Sequence, residues 1–124
     1  MPARLRPADP AEVAAALARV AAAADGADEP QRADLRLLTK HYLAVLETRA
    51  PGRSVEVRVP PYAAVQVIEG VRHTRGTPPA VVEMVAATWI ALASGALEWS
   101  AAVGSGQVHA SGERTDLTAY LPLE

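Results

Sequence analysis

The sequence predicts an α+β layer fold, and three observations carry that expectation. Apolar residues recur at spacings of three and four between Val13 and Val45, at spacings of two between Val55 and Val67, and Gly or Pro marks each change of period.

Asp9-Pro10-Ala11-Glu12 has the order of an N-cap, a first-turn proline and a capping-box acid, and Val13, Leu17, Val20 and Ala24 follow on one helical face. A first helix is expected from about Pro10 to Ala24, stopped by Asp25-Gly26-Ala27-Asp28. Asp28-Glu29-Pro30-Gln31 repeats the starting device. Leu35, Leu38, Tyr42 and Val45 then form the apolar stripe of a second helix, with Arg32, Arg36, Lys40, Glu47 and Arg49 on the rest of the wheel. Pro51-Gly52 ends it near Ala50.

From Ser54 onward Val55, Val57 and Val59 alternate with Glu56 and Arg58, the pattern of a strand wet on one face. After Pro60-Pro61, the alternation of Ala63, Val65 and Val67 predicts a second strand returning beside the first. Val71 to Pro79 contains Arg72, His73, Arg75 and Gly76, with no acid between Gly70 and Val82, and is expected to be an irregular cationic loop. Ala80 to Val85 predicts a third strand. Thr88 is expected to cap a short helix holding Trp89, Ile90 and Leu92, ended by Ser94-Gly95; another runs from Glu98 to Val103 and ends at Gly104. Gly106 to Ser111 predicts a fourth strand with Val108 and Ala110 on its inner face. Asp116, Leu117, Tyr120 and Leu121 predict a terminal helical turn that Pro122 stops.

A chain of 124 residues, half of them apolar, is long enough for one domain with one core, and 1–124 is read as such, with residues 1–8 expected to be flexible. Its 12 Lys and Arg against 14 Asp and Glu leave a net charge of −2, which lacks the concentrated cationic face of a nucleic-acid partner. Absence of Cys excludes disulfides, thiolate nucleophiles and Cys-type zinc sites. Prolines stand between Met1 and Pro10 where a signal peptide has its apolar stretch, so a cytoplasmic location is expected. The longest uncharged run, Met84 to Leu97, falls short of the roughly 20 residues that span a bilayer.

Chemistry-bearing patterns are sparse. His41, His73 and His109 fall on a helix, a loop and a strand without a partner at metal-ligand spacing. Ser105, in Gly104-Ser105-Gly106, is no nucleophile elbow, and those glycines do not make a dinucleotide fingerprint. Glu56, Glu69 and Glu83 are expected on solvent-facing strand positions. No catalytic residue, cofactor or metal is therefore expected, and an enzyme built on His73 and its neighbouring arginines lacks a converging base or nucleophile. One polar feature has a chemical use: Arg72, His73 and Arg75 could gather around a carboxylate or phosphate head group.

The downstream half resembles a known family. Thr88-Trp89-Ile90-Ala91-Leu92-Ala93-Ser94-Gly95, then Leu97-Glu98-Trp99-Ser100-Ala101-Ala102, then Gly106-Gln107-Val108-His109-Ala110-Ser111-Gly112, and Asp116-Leu117 to Tyr120-Leu121 are similar in order and spacing to the sterol carrier protein 2 family, above all its small bacterial members. The similarity extends over about Leu35 to Leu123 and is specific from Thr88 onward. It implies a mixed, mainly antiparallel sheet of about five strands covered by helices, the fifth strand to be sought in Val71 to Thr74 or near the terminus. It also implies an apolar cavity between sheet and helices for a lipid, fatty acyl chain or sterol-like molecule, bound without catalysis. Trp89, Leu92, Trp99, Val108, Leu117 and Leu121 map onto that family pattern as cavity-wall candidates, joined by Val65, Val67, Val82 and Met84. Arg72, His73 and Arg75 are the head-group candidates. A hydrophobic small molecule is the expected partner, with transient membrane contact. A homodimer or protein partner on a closed-pocket version of the fold is the alternative.

Overall fold

The computed structural model describes residues 4–70, 80–112 and 115–123. Helix α1 (Pro10–Asp25) starts where the sequence predicts, with Asp9 at the N-cap and Pro10 in the first turn, although the Asp9 side chain makes no capping bond. Its far end is closed by backbone alone: the Gly26 amide donates to the Ala22 carbonyl at 3.1 Å and the Asp28 amide to Ala23 at 2.7 Å. Helix α2 (Arg32–Arg49) follows, with Gln31 at the N-cap and no side-chain cap, so the second acidic starting device is not used as one. Its inner stripe is wider than the sequence pattern, burying Thr39, Leu43, Ala44 and Leu46 as well as Leu38 and Tyr42. The chain before α1 runs along α2. Leu5 and Ala8 pack against the core, the Ala8 amide donates to His41 Nδ1 at 2.9 Å, and Arg4 reaches Glu47 at 3.5 Å. That geometry puts the His41 ring proton on Nε2.

Four strands form one sheet in the order β2-β1-β3-β4 among the described residues. Strands β1 (Val55–Val59) and β2 (Ala63–Val67) are an antiparallel hairpin in the register Val55↔Val67 to Val59↔Ala63, joined by a turn with a cis Pro60-Pro61 bond. Strand β3 (Ala80–Glu83) lies parallel to β1, and β4 (His109–Ser111) returns antiparallel to β3. The sheet is therefore mixed, and Val71 to Thr74, one place where a fifth strand was sought, lies outside the described residues. One face buries Val55, Val57, Val59, Val65, Val67 and Val82. On the other, Arg58 sits 3.4 Å from Glu56 and 3.7 Å from Glu83, a half-exposed pairing of small energetic weight.

Several expectations about the second half need correction. Strand β3 stops at Glu83 instead of Val85, and helix α3 (Ala86–Ser94) takes Val85 as its N-cap, which leaves Thr88 buried inside the helix. The alanines at 86 and 87 are strong helix formers and extend the helix backward past the residue that resembles a cap. Strand β4 is three residues long. Ala110 pairs with Val82 and so shares its side of the sheet, yet it is exposed while Val108 is buried, β4 being the edge strand among the described residues. The expected terminal helical turn is present as a 3-10 turn, Thr118–Tyr120, just ahead of Pro122. Helix α4 (Trp99–Gly104) includes Gly104, one residue beyond the expected end. Leu117 and Leu123 return to the core, and the Leu123 amide donates to the Ala93 carbonyl at 2.8 Å, tying the end of the described chain to α3.

Helices α1 and α2 are tied by one charged contact with a testable sign. Arg19 Nε donates to Asp34 Oδ1 and Oδ2 at 3.1 and 2.9 Å, and Nη2 donates to Oδ1 at 2.9 Å. Asp34 is buried in the first turn of α2, where a negative charge also meets the helix dipole favourably. Hydrogen bonding from Arg19 holds its carboxyl below the ordinary value of 3.8; burial opposes this and the charge of Arg19 adds to it. A carboxyl depressed on folding contributes stability above its unfolded value and loses it as the pH falls through the folded value. Wild type is therefore expected to lose stability over Arg19→Gln as the pH is lowered from about 5 toward 2, measured as the difference between the two unfolding curves. In the variant the charge of Arg19 and its forked hydrogen bonds are gone, so the contribution of Asp34 to the acid limb should shrink. Parallel curves would show that the pair does not set the carboxyl.

Candidate functional site

The backbone around Gly95 builds a groove. Gly95 ends α3 in the left-handed conformation at φ 89°, which turns the chain sharply enough for the Leu97 amide to donate back to the Ala91 carbonyl at 3.1 Å. Glu98 then starts α4 almost against the end of α3. The C-terminal segment forms the opposite wall. There Asp116 Oδ1 accepts from the Thr118 amide at 2.9 Å and from Thr118 Oγ1 at 2.6 Å, and a cis Leu121-Pro122 bond precedes the Leu123 anchor. The Thr118 hydroxyl, and next its amide, hold the Asp116 carboxyl below its ordinary range against a small opposing effect of burial.

Between these walls lies a groove of about 480 Å³, lined by Leu92, Leu97, Trp99, Leu121 and Pro122 with Gly95 at its base, and by Glu98, Ser100 and Thr118 as polar members. The left-handed φ, not lack of room, is what calls for glycine at this position: a Cβ there would stand 3.5 Å from Pro122, an ordinary van der Waals contact. The volume falls within the range of small-molecule sites, and the composition, an apolar bed with a few polar groups, is that of a site for an oily ligand with one polar end.

Ten wall candidates came from the sequence, and the structure divides them. Leu92, Trp99 and Leu121 line the groove. Val65, Val67, Val82, Met84, Trp89, Val108 and Leu117 are buried in the core, and no strand residue is in the groove wall among the described residues. Arg72, His73 and Arg75 lie outside the described residues. Sequence reasoning missed Leu97 and Pro122 as wall residues. Leu97 stood inside the motif that was recognised, but only the Gly95 turn shows that its side chain faces the groove. Among the described residues no three His, Asp or Glu side chains come together as a metal site, and no helix is long and apolar enough to cross a membrane.

A mixed sheet backed by helices, with an apolar groove walled by two short helices and a returning C-terminal segment, defines an α+β protein with a small-molecule-sized site and no strand in its wall. The chain belongs to the family of bacterial sterol carrier protein (SCP) orthologs, whose model matches residues 31–123. No curated protein matches it. Helix α1 lies ahead of the matched stretch and joins the fold through Val13, Ala16 and the Arg19 contact.

Proposed function

We propose that this protein binds and carries a hydrophobic small molecule, a lipid, fatty acyl chain or sterol-like compound, without catalysing its conversion. The apolar groove between α3, α4 and the C-terminal segment carries this reading, and membership of the family supports it. The chain acts as one domain in the cytoplasm, with Arg72, His73 and Arg75 supplying charge for an acidic head group.

Magnitudes sharpen the mechanism. A ten-carbon chain taken fully out of water gains on the order of 8 kcal/mol before ordering costs, which sets a ceiling of roughly micromolar retention. A groove that covers the chain on one side gains on the order of half of that, which corresponds to millimolar binding. Tight carriage therefore requires the wall from Thr118 to Pro122 to close over the ligand. That wall is a short 3-10 turn held at its two ends by the buried Leu117 and Leu123.

Two tryptophans make the test direct. Trp99 is partly exposed in the groove and Trp89 is fully buried, so a Trp89→Phe background reports on the groove alone. Titration with cis-parinaric acid is expected to quench Trp99 saturably. Leu97→Asp, which places a charge on the apolar bed, is expected to weaken that binding at least about tenfold, or ~1.4 kcal/mol. Arg72→Ala with Arg75→Ala should weaken the acid and spare the corresponding alcohol. No saturable quenching by any fatty acid or sterol probe, together with a concentration-dependent dimer in sedimentation, would replace the carrier reading with that of an interaction module.

A further inference from the structure

Helix α2 departs from helix electrostatics in its first turns. Arg32 and Arg36 stand four residues apart on one face, where like charges repel, and both sit near the end of the helix whose free amides already make it electropositive. Among the described residues, no ion pair reaches Arg32 or Arg36. The acid in this first turn, Asp34, is already held by Arg19. Two cations placed against the local field without a counter-charge mark a position where the fold is not the reason for the residues.

Both side chains open on a single hollow of about 530 Å³, whose other described walls are Pro61 and Tyr62 of the β1–β2 turn. No carboxylate belongs to that described lining. The turn is fixed by the Tyr62 amide donating to the Val59 carbonyl at 3.0 Å, which places the partly buried Tyr62 on the same hollow as the two arginines. Guanidinium forks match phosphate oxygens in pairs, and the tyrosine adds a hydroxyl and a flat apolar surface.

We propose that this hollow is a second binding site, for the phosphate group of a small soluble molecule, with Arg32 and Arg36 on the phosphate and Tyr62 against the body of the ligand. A dissolved ligand is favoured over a bilayer because α2 has no outward apolar face. Its Leu38, Tyr42, Leu43 and Leu46 are fully buried, whereas a helix lying in a membrane interface inserts such residues. The site shares no lining residue with the apolar groove and does not depend on it.

Pyrophosphate is the probe, titrated at constant ionic strength into isotope-labelled protein and followed through amide shifts and thermal melts. Saturation with a Kd below about 1 mM is expected, with shifts centred on residues 31–37 and 60–63. Arg32→Gln with Arg36→Gln should raise that Kd at least about tenfold and melt at or above wild type without ligand, since it removes a repulsion. Tyr62→Phe should bind pyrophosphate nearly as wild type but lose preference for aromatic phosphate esters. Cis-parinaric acid should bind the double variant as it binds wild type. Four results would overturn the proposal: no saturation by roughly 10 mM, an unchanged Kd in the double variant, a double variant that melts below wild type, or affinity for phosphatidylglycerol vesicles without affinity for pyrophosphate.

Discussion

Replacing Trp89 by alanine is expected to remove about 3–5 kcal/mol from the unfolding free energy, the largest loss of any single side chain in the core. Trp89 is the largest of the fully buried side chains, and its Nε1 donates to the Thr39 carbonyl of α2 at 3.3 Å. It is thus both the volume that fills the α2–α3 interface and a specific polar tie across it. Truncation leaves a cavity that the flanking helices cannot collapse, because Leu38, Leu43 and Leu92 around the core are themselves fully buried. Trp89→Phe keeps most of the volume and loses the bond, so a smaller loss of about 1–2 kcal/mol is expected. Trp99→Ala, at a partly exposed position in the groove, should fall below both. Urea unfolding followed by far-ultraviolet dichroism orders the three variants. A Trp89→Ala loss under about 1.5 kcal/mol would mean that α3 is not docked on α2 in this way.

Trp89 also shows what can be read from a linear pattern. That it belonged to a short buried helix was legible from local spacing and from Gly95; that its ring nitrogen would meet a carbonyl 50 positions earlier was not. The first two helices and the β1–β2 hairpin were legible because period and punctuation are local properties. The parallel partner of β1 was not, since a long connection leaves no local trace of which edge it returns to. In the groove, Leu92, Trp99 and Leu121 were legible as residues of a family pattern, whereas Pro122 becomes a wall only because Leu123 is tied back to Ala93. Arg32 and Arg36 read naturally as the wet side of an amphipathic helix. They become a pair with a purpose only when the β1–β2 turn is seen to bring Pro61 and Tyr62 beside them.

Gly52→Ala should destabilise the fold by about 3 kcal/mol or more, far beyond an ordinary glycine substitution, because two independent penalties coincide at that residue. Its φ of 150° is one that side chains rarely adopt, and a Cβ built there would overlap the carbonyl group of Ile68 and the amide of Glu69. The overlapped peptide is the junction of three elements. The Ile68 amide donates to the Ala50 carbonyl at the end of α2 at 2.7 Å, and the Ile68 carbonyl accepts from the Ser54 amide at 3.0 Å and from Ser54 Oγ at 2.6 Å, one residue before β1 begins. Ile68 is itself held at φ 67°, unusual for a β-branched residue, so this junction has no slack with which to absorb a methyl group. Displacing it disturbs the Val55↔Val67 pair, the first rung of the hairpin, and with it the face of the sheet that fills the core. In the sequence Gly52 is a helix stop, which Pro51 alone could provide; the close approach of Ile68 is the reason the residue must be glycine. Two other glycines serve as internal controls. Gly106→Ala, at φ 79° with open space around it, should carry the backbone penalty alone, about 1 kcal/mol, and Gly104→Ala, inside α4 with nothing near its Cβ, should be neutral or slightly stabilising. Equal losses at Gly52 and Gly106 in urea unfolding would show that the Ile68 contact does not matter and that only the dihedral does.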